Sequence, residues 1–378
     1  MTDVRIELPA GLRPADGRFG SGPSKVRQAA VERLAEVAPR LLGTSHRRPG
    51  VRAQVRRVRE GLRAFFSLPD GYEVALGNGG ATLFWDAAGY CLVRRRSAHA
   101  VFGEFSAKFA DALAAMPFLA EPAVVASEPG SHPVLDAVDG ADLYALTHCE
   151  TSTGVAMPVS RPEGVSAAEA LVAVDATSAA GGIAFDPEQA DAYYFSPQKC
   201  FGSEGGLWLA LLSPAALQRL DEVAAGADRH VPAMLDLRVA VDNARQDQTY
   251  NTPAIATLFL MGEQIDWLNE QGGLAWAAKD CAAKAAHLYD WAERSGYARP
   301  FVADPAQRSP VVCTIDLDPS VPGDRVCAVL RANRVVDTEA YRKLGRNQVR
   351  VAVFPAVDHA DVERLTAAID FLVERLTR

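Results

Sequence analysis

Short apolar runs alternate with polar turns through the first two thirds of the chain. TyrGluValAlaLeu (72–76), AlaAspLeuTyrAlaLeu (141–146), LeuValAlaValAsp (171–175), AlaTyrTyrPhe (192–195) and GlyLeuTrpLeuAlaLeuLeu (206–212) are each bounded by turn residues. Such runs suit buried strands of a largely parallel sheet. The stretch 81–92, after GlyAsnGlyGly, reads as a helix. The alternation predicts an open α/β unit with helices on both faces.

Beyond about residue 260 the texture changes. An Ala-rich amphipathic stretch runs from about Leu274 to Arg294. A strand-like run (311–317), a helix-like one (325–333) and a strand-like one (348–354) follow. From about Asp358 the chain is amphipathic again, with Asp358 as the expected cap and Asp361 in the first turn. This order predicts a smaller C-terminal α/β domain. The expected division is an N-terminal arm over 1–20 associated with the small domain, a large domain over 21–262 and a small domain over 263–378. Gly, Pro and Arg in the arm predict an extended path.

Composition narrows the possibilities. The chain has 378 residues, 49% hydrophobic and 23% charged, which is ordinary for a soluble globular protein. Its 39 basic and 47 acidic residues leave a net charge of −8, which favours neither a nucleic acid nor an anionic membrane as partner. The start of the chain lacks a basic segment followed by an apolar one, and no apolar run reaches about 18 residues. Neither a signal peptide nor a membrane span is expected. The six cysteines show no CxxC pair and no metal-ligand spacing. They read as reduced, buried thiols of a cytoplasmic protein, without a metal site. The arginines of 52–63 read as a solvated helix face with no site.

Three local patterns carry candidate chemistry. Lys199 lies in a polar turn after the apolar run 192–195, flanked by Gln198, Cys200, Phe201 and Gly202. A lysine in a turn is ordinarily solvated, but this setting favours partial burial, which lowers the amine's pKa and strengthens it as nucleophile and base. Asp175 ends the run 171–175, at the strand end where open α/β sheets bind ligands; a turn cap is the plainer alternative. GlyAsnGlyGlyAlaThr (77–82) joins a strand to a helix, and its glycines and helix N-terminus can cradle a phosphate. It has neither a P-loop ending nor a dinucleotide spacing, and alone it reads more readily as a plain tight turn. Together the three suit pyridoxal phosphate. The amine forms a Schiff base with the aldehyde, the carboxylate keeps the pyridine nitrogen protonated, and the loop holds the phosphate. His46 and Arg47 in a Gly-led turn, and Arg350 at a strand start, are candidate anion binders.

With PheGlySerGlyProSer (19–24), GlyThrSerHisArg (43–47), GlyGlyAlaThr (79–82), GluThrSerThrGly (150–154), AspAlaThrSer (175–178), ProGlnLys (197–199), TyrAsnThrProAla (250–254) and ValArgValAlaValPhePro (349–355) in order, the chain resembles the phosphoserine aminotransferase family, in its actinobacterial form. The resemblance covers nearly the whole chain. It implies a fold-type I pyridoxal-phosphate transferase: a large domain with a mainly parallel, seven-stranded-type sheet and a smaller C-terminal α/β domain. It implies Lys199 as the Schiff-base and acid–base residue, and Asp175 as partner of the ring nitrogen. Gly80, Ala81, Thr82 and Gln198 would hold the cofactor phosphate. Phe105 would stack on the ring, where the family more often has Trp, and Thr151 would bond the phenolic oxygen.

The resemblance further implies a homodimer with shared active sites. Asn251 and Thr252 of the other subunit would reach the cofactor phosphate, and His46 and Arg47 the substrate phosphate. Arg350 would take the substrate α-carboxylate. Where many members carry a His-Arg pair in the C-terminal loop, this chain has Arg342, Lys343 and Arg346. The implied reaction moves an amino group between phosphoserine or its keto acid and glutamate or 2-oxoglutarate, in cytoplasmic serine biosynthesis. Some bacterial members also serve pyridoxine synthesis, and no residue here selects for or against that. Rival readings are another class-V aminotransferase, distinguished by a less basic substrate pocket; a cysteine desulfurase, which needs a mobile loop cysteine; and a cofactor-binding regulator, which needs an added DNA-binding module.

Overall fold

The computed structural model describes residues 6–226 and 229–377. Among the described residues, nine strands precede residue 260: β1 (Glu73–Asn78), β2 (Ser97–Val101), β3 (Ala123–Ala126), β4 (Leu143–Thr147), β5 (Cys149–Glu150), β6 (Val155–Ala156), β7 (Leu171–Asp175), β8 (Ala192–Phe195) and β9 (Leu207–Leu212). β10 (Ala298–Pro300), β11 (Val312–Leu317) and β12 (Gln348–Ala352) follow. The helices are α1 (Gln28–Leu41), α2 (Pro49–Phe65), α3 (Ala81–Cys91), α4 (Glu104–Ala114), α5 (Pro214–Ala225), α6 (Leu237–Arg245), α7 (Ile255–Gln271), α8 (Gly273–Arg294), α9 (Gly323–Ala332) and α10 (His359–Leu376).

Seven strands form one sheet in the order β1-β9-β8-β7-β4-β2-β3. β9 runs antiparallel to both neighbours and the remaining pairs are parallel. The apolar run at 206–212 is therefore the exception in an otherwise parallel set. Strand alternation divides the core. Val172, Val174, Tyr193, Phe195, Leu209 and Leu211 join one buried cluster with α2 and α7. Leu171, Ala173, Ala192, Tyr194, Trp208 and Ala210 join another with α3, α5 and α6. Successive side chains point to opposite faces, so wholly apolar strands bury both.

Register sets the level of the site. Thr147 pairs with Asp175 and Asp175 with Tyr194, so these residues lie in one row at the C-terminal ends of β4, β7 and β8. The glycine turn after β1 opens at the same edge.

The second sheet, β10-β11-β12, is antiparallel and packs with α8, α9 and α10. Leu8 and Phe19 of the N-terminal arm are buried in this cluster. The arm is not uniformly extended, since Ala10–Leu12 forms a 3₁₀ turn.

Two expectations are corrected. The arginine face of α2 is largely engaged: Arg59 and Arg56 pair with Asp247, and Arg57 bridges Glu263 and Asp266 of α7. Only Arg56 among these three is exposed. Asp358 stands at the N-cap of α10, but its side chain makes no cap bond and pairs with Lys25 instead. Its neighbour Asp361 carries the heavier role. That buried carboxylate accepts from Ala15 N at 2.6 Å and Asp16 N at 3.2 Å, pinning the arm to α10.

An Asn at position 361 leaves a single oxygen acceptor for the two part-buried arm donors, Ala15 N and Asp16 N. Asp361→Asn is expected to lower unfolding free energy by about 1–3 kcal/mol in denaturant titrations. Asp358→Asn, at an exposed ion pair, is expected to cost under about 1 kcal/mol. Equal costs would contradict the assignment.

Candidate active site

Lys199 follows β8 in a tight turn and is buried. Its Nζ donates to Ser178 Oγ at 3.1 Å and Thr151 Oγ1 at 3.3 Å, and those two hydroxyls also bond each other. Burial pulls the amine down to about 8; the Arg350 charge acts in the same sense and Asp175 opposes it. Ser24 Oγ donates to the Lys199 carbonyl at 2.6 Å. Gly22, at φ 131°, approaches so closely that a Cβ there would fall 2.6 Å from Lys199 Cε.

Asp175 Oδ1 accepts from Thr177 N at 3.0 Å, and Oδ2 accepts from Trp85 Nε1 at 3.1 Å. Gly79 and Gly80, at φ 116° and 87°, turn the chain from β1 into α3. Ala81 N donates to Ser196 Oγ at 2.7 Å. The turn thus opens the first turn of α3 toward the cavity, but with the Ala81 donor already engaged.

A cavity of about 290 Å³ joins these groups. Gly80, Ala81, Thr82, Phe105, Thr151, Asp175, Gln198 and Lys199 all line it. Gln198 Oε1 and Thr177 Oγ1 face into it, buried without a partner. The Phe105 ring lies 5.8 Å from Lys199 Nζ. The donor set therefore fits pyridoxal phosphate. An amine stands beside an aromatic face, a carboxylate is fixed by two donors, and a glycine turn opens a helix N-terminus. Buried polar atoms without internal partners await a ligand.

Arg350, on β12, lies just outside this lining. Its Nη1 donates to Thr151 O at 3.2 Å, its guanidinium sits 5.4 Å from the Tyr341 ring centroid, and its Nε is buried without a partner. Tyr341 also packs against Phe105 at 6.2 Å.

The remaining predicted residues gather elsewhere. His46 Nδ1 and Thr252 Oγ1 lie 3.0 Å apart, and His46 Nε2 is buried without a partner. Arg47 bonds Gln248 and donates to Tyr250 O at 3.1 Å. Asn251 Oδ1 accepts from Thr252 N, and Asn78 Nδ2 donates to Thr252 O at 2.9 Å. The four thus form one polar cluster at the outer side of the glycine turn, outside the cavity lining of their own chain. In the C-terminal loop, Lys343 pairs with Glu104, and Arg346 grips Asp316 through Nε and Nη2. Arg342 has no hydrogen bond or ion pair among the described residues and is exposed.

Sequence reasoning missed Trp85, Thr177, Ser178, Tyr341 and Glu150. Glu150 is fully buried. Its Oε2 accepts from Phe105 N, Ser106 N and Ser106 Oγ at 2.9–3.0 Å, and its Oε1 from Ser152 N and Oγ. Burial pushes this carboxyl upward while these donors hold it down. Its position directly before Thr151 was the available signal.

Among the described residues no helix is long and apolar enough to cross a membrane, and no group of three or more His, Cys, Asp or Glu could hold a metal ion. All six cysteines are buried and free; Cys313 lies in β11 and Cys327 in α9.

The model of the class-V aminotransferase family matches residues 132–363. A phosphoserine aminotransferase of a Nocardioides species is 58% identical over 376 residues, spanning 100% of both chains. One from Rhodococcus opacus is 55% identical over 376 residues, again spanning 100% of both. Among solved structures, a phosphoserine aminotransferase from Cytophaga hutchinsonii shares the fold with a TM-score of 0.84 at 24% identity, covering 94% of this chain and 99% of that one. The chain belongs to the phosphoserine aminotransferase family of class-V aminotransferases and has their fold-type I architecture.

Proposed function

We propose that this chain moves an amino group between phosphoserine or 3-phosphohydroxypyruvate and glutamate or 2-oxoglutarate, with pyridoxal phosphate, in serine biosynthesis. The observation that carries the reading is the buried Lys199 amine facing the Phe105 ring in one cavity with Asp175. When bound, pyridoxal phosphate supplies an aldehyde for the amino group and a protonated ring that accepts electrons from the substrate Cα.

The protein's own groups do the rest. Lys199 Nζ, neutral above about pH 8, is the base for the Cα proton. Thr151 and Ser178 orient the amine. Asp175 sustains the ring charge and Phe105 covers one face. Gly80, Ala81, Thr82 and Gln198 meet the cofactor phosphate. Arg350 uses its unpartnered Nε and remaining donors for the substrate α-carboxylate.

For the distal anion, carboxylate or phosphate, the C-terminal loop offers one cation without a partner among the described residues. Arg346 is held by Asp316 and Lys343 by Glu104, which leaves Arg342. His46 and Arg47 complete the subsite from a partner subunit, with Asn251 and Thr252 reaching the cofactor phosphate. The proposed homodimer covers Leu42 and Tyr250, two exposed apolar residues beside this cluster in sequence. Of the arm over 1–20, residues 6–20 act on the smaller unit and 1–5 lie outside the described residues; 21–262 hold the cofactor, and 263–378 supply Arg350 and its loop. A cytoplasmic location suits six free buried thiols.

Purified protein given phosphoserine and 2-oxoglutarate is expected to produce glutamate. Arg342→Ala should raise KM for phosphoserine about 10–100-fold with little change in cofactor retention, while Arg346→Ala should act mainly on stability. No glutamate formed would sink the reading.

The low Lys199 pKa has its own signature. Covalent capture of pyridoxal phosphate at Lys199, fixed by borohydride and read by mass spectrometry, should rise with pH through a midpoint near 8. A depressed lysine pKa means the neutral amine is present above 8, whereas an ordinary lysine needs about 10.4. Lys199→Ala protein should capture nothing at this position.

Shared sites can be tested by complementation. Lys199→Ala and Arg47→Ala proteins, mixed and allowed to exchange subunits, should recover roughly a quarter of wild-type activity, because half the dimers carry one intact site of two. No recovery despite exchange would place Arg47 in its own chain's site.

A further inference from the structure

Asp175 depends on a residue outside the expected constellation. Trp85 lies in α3, one turn beyond the glycine turn, and is 5% exposed. Its ring stacks on Phe109 at 6.2 Å, and its Nε1–H donates to Asp175 Oδ2 at 3.1 Å. The other oxygen takes the Thr177 backbone N–H. Each carboxylate oxygen thus has one fixed donor, and the indole is the side-chain one. Trp85 also lines the cavity. Tyr194, next to Asp175 in the adjacent strand, stays protonated: burial raises its hydroxyl well above the usual range, and the Asp175 charge adds to that.

A carboxylate at a strand end can rotate about its side-chain torsions, and two donors from different elements select one orientation. That orientation decides which oxygen Asp175 presents to a ring nitrogen. Because α3 also begins at the glycine turn, one rigid helix sets the phosphate end and, through Trp85, the nitrogen end.

We propose that Trp85 is a positioning residue of the transamination site: its indole N–H aims Asp175 at the cofactor's ring nitrogen. This rests on the pyridoxal-phosphate reading above. The test compares holoenzyme and a Trp85→Phe variant, which keeps an aromatic ring and removes the donor along with part of the indole's volume. Two cofactors are used: pyridoxal phosphate, and its 1-deaza analogue, in which C–H replaces the ring nitrogen.

Equilibrium dialysis should show the variant binding pyridoxal phosphate about 10-fold more weakly. The deaza analogue, lacking the group that Asp175 addresses, should bind both proteins within about 2-fold of each other. With pyridoxal phosphate, kcat should fall about 10-fold or more while KM for phosphoserine changes little. Equal weakening for both cofactors, or none for either, overturns the proposal, since a packing role would not distinguish them. Failure of the wild-type protein to bind pyridoxal phosphate at all would instead overturn the cofactor reading. Should the phenylalanine variant not fold, Trp85→Tyr, whose donor is displaced from Asp175, serves the same comparison.

Discussion

Glu150 brings a carboxylate to a place with no exposed surface, where five donors from two elements converge on it. An acid buried without partners would cost several kcal/mol or take up a proton. Here the donors come from the first turn of α4 and from the turn 150–154, so satisfying the acid locks those segments together. Gly103 makes the approach possible, because a Cβ there would lie 2.3 Å from Glu150 Cγ. The positions of Phe105 and Thr151 follow from this one knot.

The same turn joins the two sheets. Thr314 Oγ1 donates to Thr153 O at 2.8 Å, Ser309 N donates to Gly154 O at 2.9 Å, and Arg350 reaches Thr151 O. A side chain on Gly154 would strike Thr314 at 2.6 Å. The segment touching the lysine amine is therefore also the one that seats Arg350. The two cationic groups share one backbone reference rather than two independent ones.

How much of this was legible in the sequence depends on the distance over which each fact is decided. Lys199, Asp175 and the glycine turn could be read because a strand end and its turn are local, and a parallel sheet brings such ends to one edge. β2 and β3 escaped notice. SerAlaHisAlaVal interrupts its apolar pattern with a buried histidine, and β3 is a four-residue edge strand with alternating exposure. Contacts across long separations escaped too. The Trp85–Asp175 bond spans 90 residues and the Glu150–Phe105 bond 45. Asp361 looked like a dipole partner because the arm's backbone donors sit more than 340 residues away. The commitments of Lys343 and Arg346 are likewise tertiary facts, so three cations in one loop were indistinguishable until Glu104 and Asp316 were placed.

Gly22 presses against the Lys199 side chain, and the arm carrying it is anchored by Phe19 in the second core. A lysine has four side-chain torsions and about 2 kcal/mol of rotamer entropy to lose. Walled by Gly22 and held by two hydroxyls, this one is already confined when the chain folds. Little side-chain disorder is then left to remove, which is what the role proposed for this amine would require. The N-terminal segment, held in the second core by Phe19, thereby helps to keep the lysine side chain in place through Gly22.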